Sequence, residues 1–492
     1  MNLVCSVRIK SFFILIFLHK NQMDMTASRE RLFRDSTIGL IRAITMAISA
    51  TASQATLASS DVFRFVGYGP VSSAMGGAAT AFDVGAAGMM TNPATLSLMA
   101  PGSEIHLGLD VIVTDLSVKN QATGETASSN DHSKNRGPYA APQLAFTYRG
   151  GPWAFGLGVF AQGGVGTEYG TKSFLSRATG GLDTGFENSS RLLILNIPFA
   201  ASYEVNDRLT VGASVDAVWQ GLNLDMLMGA DQLGSLIGAG RVSGSLVPVL
   251  GELPDLRGAH LSFTKNQPVT SGVDAWGVGG RIGMIYKITQ ATIFGAAYSM
   301  ESKLADMEGN ATLTAVDALV GQVALAGKIK IRDFQTPAQL NLGISHQLND
   351  QWLIAADVSR IFWKHAMKDI DVDFVADNGS NINILLPQNY RNQTALSLGA
   401  AYQTGKWTLR GGGRLATQAL CSDTVLAVIP AIPTTFGSAG FSYQFTRASK
   451  MDFAWIHSFK KEMDNSSLPN TSEPIRVAHA QDSISMAYVY EF

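Results

Sequence analysis

The sequence predicts an all-β protein, a transmembrane β-barrel of about fourteen antiparallel strands. From about residue 104 onward, apolar residues alternate with small or polar ones, the period-two pattern of strands whose two faces meet different surroundings. Short polar turns alternate with long connections, which is the asymmetry of barrels that cross an outer membrane. Only 15% of the residues are charged and 49 are glycine, so the composition is not that of an ordinary soluble protein.

The first 58 residues are interpreted as a targeting segment. A basic region, 29–42, precedes an apolar stretch of small residues, 43–50, in the order of a secretory signal peptide. The alternative is an amphipathic helix of a folded domain. A second segment that resembles a signal peptide less closely comes before the basic region. One explanation is that translation starts after it, at Met23 or Met25, and this is a hypothesis.

Residues 59–103 are predicted to fold compactly inside the barrel and not to form a strand. Glycine and alanine dominate this segment and charges are few, so it would be poorly solvated as a free tail. The lumen of a barrel would bury it. We therefore expect an N-terminal hatch that plugs the lumen, followed by a barrel over 104–492.

The alternating runs define the expected strands. Their second face is mostly Gly, Ser, Thr, Ala and Asn, which suits a barrel lumen better than the charged outer face of a soluble sandwich. The strands are expected at about 104–118, 139–149, 153–164, 191–205, 209–225, 274–288, 291–304, 331–348, 352–364, 392–403, 406–416, 433–445, 449–461 and 481–492.

The connection 226–273 is predicted to be a long external loop, and it is unusually apolar for one. Exposed apolar patches often mark binding sites, so part of this loop is a candidate groove for a hydrophobic cargo. The alternative is ordinary packing of a helical loop against the barrel rim. The candidate groove residues are Leu233, Leu236, Ile237, Leu246, Val249 and Leu250.

Several classes of function have no support in the sequence. The net charge of −2 gives no reason to expect nucleic acid. The two cysteines, Cys5 and Cys421, leave no internal disulfide once the targeting segment is removed, and eight histidines show no metal-ligand spacing. Glycines 411–413 lie inside a strand pattern and make no phosphate loop. No catalytic residue, metal or cofactor is predicted.

A short motif carries a family resemblance. Asn92-Pro93-Ala94 follows the glycine pair Gly76-Gly77 and comes just before the first strand. It resembles the Asn-Pro-Ala motif in the hatch of the FadL/TodX family of outer-membrane transporters. Further similarity lies at 155–169 and 432–443, and the resemblance spans roughly residues 60–492.

The resemblance implies a monomer in the bacterial outer membrane, in contact with its lipid, that takes up long-chain fatty acids or other hydrophobic small molecules. Such proteins capture cargo at external loops and release it sideways at a kinked third strand, which here ends near Gly163, Gly164 and Gly166. The chain ends with Phe492 on an amphipathic strand, similar to proteins that the barrel-insertion machinery recognises.

The nature of the cargo stays open at this stage. Fatty-acid members of the family hold the carboxylate with basic groups, but the fifth strand has no basic residue near its outer end. Arg281, Arg410 and Arg414 are strand residues that would serve if they face inward. If no such anchor exists, the protein would be a channel for aromatic or aliphatic hydrocarbons. The sequence also leaves open an outer-membrane lipase, which ester hydrolysis would detect, and a non-selective porin, which ion conductance would detect.

Overall fold

The computed structural model describes residues 62–129, 139–263 and 272–492, so the predicted targeting segment lies outside the described residues. Within them, no helix is long and apolar enough to cross a membrane. The helical elements are short: α1 (Gly69–Ala74), α2 (Ala230–Gly238), α3 (Leu246–Gly251) and α4 (Trp363–Ala366), with 3-10 helices at Gly85–Met90, Pro93–Leu98 and Phe174–Ser176.

Strands make up most of the described chain. Twenty-two of them join in one sheet, and β5 and β6 form a separate pair. The strands are β1 (Gly102–Asn120), β2 (Thr126–Ser128), β3 (Tyr139–Gly150), β4 (Trp153–Glu168), β5 (Arg177–Ala178), β6 (Leu182–Asp183), β7 (Ser189–Glu204), β8 (Leu209–Gly229), β9 (Val242–Ser243), β10 (Leu256–Ser262), β11 (Asp274–Lys287), β12 (Thr292–Ser299), β13 (Lys303–Leu304), β14 (Met307–Asp317), β15 (Gly321–Arg332), β16 (Gln339–Gln347), β17 (Trp352–Ile361), β18 (Asp369–Ala376), β19 (Asn381–Pro387), β20 (Gln393–Thr404), β21 (Trp407–Ala416), β22 (Thr435–Thr446), β23 (Ser449–Asn465) and β24 (Ile475–Glu491).

The all-β barrel is confirmed, but the predicted number of fourteen strands is wrong, because the closed wall has sixteen. Each strand of the wall is hydrogen-bonded antiparallel to the next, and β24 returns to β1 along residues 104–120. The order round the wall is β1, β3, β4, β7, β8, β10, β14, β11, β12, β16, β17, β20, β21, β22, β23 and β24.

The two strands that the sequence did not reveal, β10 and β14, enter the wall at its long-loop end. β8 continues beyond its expected end at residue 225, and its last residues pair with β10. β10 pairs with β14, and β14 meets β11 at the pair Glu308 and Asp274. Towards the short turns β8 pairs directly with β11. Alternation within one segment does not show where a strand finds its partner, so the sequence pattern places both segments in connections.

Other expected connections and strands also differ from the structure. The connection 226–273 contains α2 and α3 beside β10. The connection 365–391 contains the end of α4 together with β18 and β19, while the expected strand 331–348 is broken at 333–338. These segments extend the sheet at the long-loop end of the barrel, where β15 pairs with β18 and β18 with β19.

The outer surface of the wall is apolar, as alternation predicts for a surface that meets lipid. In β1, Leu107 and Leu109 are exposed while His106, just before them, is buried. Aromatic pairs follow the short-turn end of the barrel, with ring centroids 4.5 Å apart for Trp153 and Tyr203. The pairs Trp352–Tyr402 and Trp407–Tyr443 lie at 4.8 Å and 4.5 Å. Such a girdle marks a membrane–water interface.

Small inward-facing residues leave room for the N-terminal segment, residues 62–101. The backbone at Met75 lies so close to Gly399 and Gly412 that a Cβ on either glycine would come within 2.6 Å or 2.3 Å of it. Met75 and Phe82 pack in a buried cluster with Ala355 and Ala401 of the wall. The inward face is therefore rich in glycine and alanine because a second layer of chain packs on it. Its assignment as a hatch stays a prediction.

Candidate functional site

An apolar cavity lies at the long-loop end of the barrel, where β8, β10, β18 and β19 meet α2 and α3. It encloses about 850 Å³, including the part open to solvent, and every side chain that lines it is apolar. Residues such as Leu222, Phe263, Phe334, Ile382 and Leu426 form its walls. A carboxylate placed here would lose its hydration without gaining a partner, whereas a neutral hydrocarbon would only leave water.

The predicted groove residues divide into three groups. Leu233 and Leu250 line the apolar cavity. Leu236 and Leu246 are buried in the hydrophobic core around it. Ile237 and Val249 are exposed on the outside of their helices. The segment is thus part core and part cavity wall, and the role of these residues in cargo capture stays a prediction.

A second, wider cavity, the vestibule, lies beside the apolar cavity. It measures about 1390 Å³, including the part open to solvent, and polar residues such as Glu125 and Arg177 contribute to its lining. Met226, Met228, Leu386 and Leu426 line both the vestibule and the apolar cavity. These four side chains form the partition between the two spaces. Sequence reasoning missed Leu386 and Leu426, because they lie in connections far apart along the chain.

A β-bulge interrupts β4, the third wall strand. The register with β7 shifts between Ala161 and Gly163, so Gln162 is an extra residue. In the described chain, the ladder between β3 and β4 ends at the pair Gln143 and Phe160, and the rest of β4 pairs with β7 but not with β3. An opening in the wall results between residues 139–142 and 161–168.

The N-terminal segment occupies part of this opening. Arg64 forms an antiparallel bridge with Gly163, and the Phe65 amide donates to the Gln162 carbonyl at 3.2 Å. A Cβ on Gly163 would lie 1.6 Å from the Phe63 carbonyl oxygen, so only glycine permits this approach. Gly164 and Gly166, the other predicted kink residues, lie in β4 beyond the bulge. Their role in cargo exit stays a prediction.

The exit cavity, a third space of about 1160 Å³ including the part open to solvent, lies behind the opening. Val62 and Arg64 line it together with Gly163, Gly164 and Gly166.

Phe63 lies between the exit cavity and the apolar cavity. Its ring stacks on Phe334 at 6.0 Å, and Phe334 also lines the apolar cavity. Trp363 and Tyr390 surround the same ring at 5.7 Å and 6.4 Å. Burial raises the pKa of Tyr390 far above its usual range, so its phenol stays neutral. An aromatic contact thus separates the apolar cavity from the exit cavity.

The Asn92-Pro93-Ala94 motif links two parts of the N-terminal segment to the wall. The Asn92 side-chain amide donates to the Thr80 carbonyl at 2.7 Å and to the Met284 carbonyl of β11 at 3.0 Å. Its side-chain oxygen accepts from the Ala94 amide at 3.2 Å. Pro93 begins the following 3-10 helix, a position where its missing amide hydrogen costs nothing.

The three basic residues expected in the lumen, Arg281, Arg410 and Arg414, all have partners. Arg281 forms a buried ion pair with Asp216. Arg410 donates to the Ser442 hydroxyl at 2.5 Å, and Arg414 donates to the Ser397 hydroxyl at 2.7 Å.

Sequence reasoning missed Arg64, which is only 7% exposed and lines the exit cavity. Its Nη1 has no hydrogen-bond partner among the described residues. The sequence feature that could have identified Arg64 is a single arginine between apolar residues. Across 62–129, 139–263 and 272–492, no group of His, Cys, Asp or Glu side chains could hold a metal ion.

A family model matches residues 48–491 of the chain, and its description is outer membrane protein transport protein (OMPP1/FadL/TodX). Among curated proteins, outer membrane protein P1 of Haemophilus influenzae is 27% identical over 388 residues. That match covers 75% of this chain and 79% of the relative.

Two solved structures are similar over nearly their whole length. The toluene transporter TodX of Pseudomonas putida is 37% identical, with a TM-score of 0.78, and the match covers 88% of this chain and 100% of that one. The toluene transporter TbuX of Ralstonia pickettii is 46% identical, with a TM-score of 0.74, over 87% of this chain and 99% of that one.

Proposed function

Because this chain belongs to the OMPP1/FadL/TodX family of outer membrane transport proteins, we propose that it carries neutral, monoaromatic hydrocarbons across the bacterial outer membrane. The family's activity is the outer-membrane transport of hydrophobic compounds. The apolar cavity is the observation that favours a neutral hydrocarbon over a fatty acid, since its walls offer no polar group to a carboxylate. Two similar solved structures are described as toluene transporters, which supports the same choice.

The proposed route joins the three spaces in order. Cargo enters the vestibule, passes the partition of Met226, Met228, Leu386 and Leu426, and rests in the apolar cavity. Displacement of the Phe63 ring opens the way to the exit cavity, and the cargo leaves sideways through the opening beside β4. A sideways exit avoids the water of the periplasm, where each exposed methylene costs about 0.8 kcal/mol.

Uptake of labelled toluene and of a labelled long-chain fatty acid, by cells with and without the protein, tests the choice of cargo. We expect protein-dependent uptake of toluene. Uptake of fatty acid alone would refute the hydrocarbon proposal and retain transport. If the protein increases neither uptake, transport of both cargoes is refuted. Large, steady conductance steps in planar bilayers would favour a porin instead.

Substitution Leu250→Gln tests the apolar cavity itself. Leu250 is 8% exposed and lines the cavity, so an unpaired amide in its place costs about 1–3 kcal/mol and weakens cargo binding by roughly tenfold. We expect toluene uptake at low concentration to fall accordingly. The control is Val249→Gln in the same helix, because Val249 is 52% exposed. Equal uptake by the two variants, both shown to be folded by heat-dependent gel mobility, would contradict the proposed site.

A long-chain fatty acid is the second candidate cargo, and Arg64 is the observation that favours it. Its guanidinium lines the exit cavity and offers a buried, unpaired Nη1 to a carboxylate. If fatty acids are carried, Arg64→Gln is expected to lower the ratio of fatty-acid to toluene uptake by about tenfold, the size of a lost charge-assisted hydrogen bond. An unchanged ratio would remove Arg64 as the anchor.

We further propose that the protein acts as a monomer and is inserted through its C-terminal strand. The Phe492 amide donates to the Ser103 carbonyl at 2.9 Å, so the final residue closes the wall against β1. Removal of Phe492 is the direct test, read out as the amount of folded protein in the outer membrane.

A further inference from the structure

Three side chains meet in the opening beside β4. The Tyr139 ring, at the start of β3, reaches across to Gly166, where a Cβ would lie 2.4 Å from the ring. The Arg191 guanidinium carbon lies 5.4 Å from the centre of the same ring. Arg191 belongs to β7 and is the cross-strand partner of Gly166. The ring therefore lies between a glycine that makes room for it and a cation that stacks on it.

This contact lies beyond the end of the ladder that joins the described parts of β3 and β4. The β3–β4 pairing ends at Gln143 and Phe160, whereas Tyr139 and Gly166 belong to the parts of these strands beyond that pair. Tyr139, Gly166 and Arg191 all line the exit cavity. A molecule that passes from the exit cavity through this gap must displace the Tyr139 ring from the guanidinium.

We propose that Tyr139 and Arg191 form an exit gate that selects aromatic cargo, in which the departing ring replaces the Tyr139 ring on the guanidinium. The inference rests on the proposed sideways exit and adds a specificity-determining pair to it. A cation within about 6 Å of a ring centre is attracted by the negative face of the ring. An aromatic cargo restores this attraction as the gate opens, while a saturated ring of the same carbon number loses it.

Toluene and methylcyclohexane are the matched cargoes for the test, since both have one six-membered ring and one methyl group. We expect wild-type protein to favour toluene in protein-dependent uptake. Arg191→Gln is expected to lower the toluene-to-methylcyclohexane ratio by about fivefold, the size of one cation–π contact. Arg191→Lys keeps a cation and is expected to recover most of the ratio. Arg360→Gln is the control, an exposed outward arginine of β17 that donates to Thr394.

The results separate this proposal from the transport proposal. If Arg191→Gln folds and leaves the ratio unchanged, or lowers both uptakes equally, the gate is refuted while transport stands. If the wild-type protein increases uptake of neither cargo, transport itself is refuted, and the gate with it.

A measurement on the wild-type protein covers the case in which Arg191→Gln does not fold. Pentafluorotoluene has a ring face depleted of negative charge, so the gate is expected to pass it about fivefold more slowly than toluene. Equal rates for the two aromatics would refute the gate without any variant.

Discussion

Deletion of Gln162 is expected to reduce protein-dependent toluene uptake to the level of cells that lack the protein. Gln162 is the extra residue of the β4 bulge, and without it the ladder with β7 becomes regular through Ala161 and Gly163. The outer part of β4 then lies along β3 and closes the opening. A rise of only about 1.4 kcal/mol in the barrier already slows release tenfold. Uptake of labelled toluene at low concentration measures the effect.

The matched control is Gln162→Ala, which keeps the bulge and its backbone. The Gln162 carbonyl accepts hydrogen bonds from the Phe65 amide and the Tyr68 hydroxyl, both at 3.2 Å, and the alanine variant retains this acceptor. We expect the alanine variant to transport like the wild type. If the deletion variant is folded, as judged by heat-dependent gel mobility, and still transports at the wild-type rate, cargo does not leave through this opening.

Asp357→Ala is expected to loosen the N-terminal segment and open the lumen to ions. The Asp357 carboxylate, on β17, accepts from the Ala79 amide at 2.8 Å and from the Thr80 amide and hydroxyl at 3.0 Å and 2.6 Å. Removing this acceptor leaves three buried donors unsatisfied, at a cost of about 1–3 kcal/mol each. The wall has its own hydrogen-bond ladders, so the segment is expected to be released before the strands separate.

Conductance in planar bilayers measures this release. Wild-type protein is expected to be silent, and Asp357→Ala to give steady steps. Asp350→Ala, in an exposed short turn, is the control and is expected to stay silent. Faster amide hydrogen exchange over residues 75–84 would support the same release. Silence of the folded Asp357→Ala variant, without faster exchange, would contradict a plug held by this carboxylate.

These two sites, the bulge in β4 and the Asp357 carboxyl group, show what the sequence could predict and what it could not. Glycines 163, 164 and 166 drew attention to the end of the third strand, because glycine permits bulges and close approach. The residue that makes the bulge is Gln162, and it is recognised only from the register with β7. Likewise, nothing near Asp357 in the sequence indicates that its partners are Ala79 and Thr80.

The apolar cavity is a second feature that the sequence predicts only in part. The sequence showed that 226–273 is unusually apolar, but apolar residues in a connection serve equally as core or as binding surface. The structure separates them by exposure and by contact with β18 and β19, which the sequence assigned to a connection. Leu250 faces the cavity and Val249 does not, although they are neighbours in α3.

The sequence by itself determined the all-β barrel, its outer-membrane location and the family. These follow from period-two alternation, from the order of short and long connections, and from a local motif, which are properties of contiguous residues. Only the tertiary structure decided the sixteen-stranded wall, the opening between β3 and β4, and the buried Arg64. Each of these depends on which distant segments pair and in what register, and alternation along a single strand is identical for every partner that the strand could take.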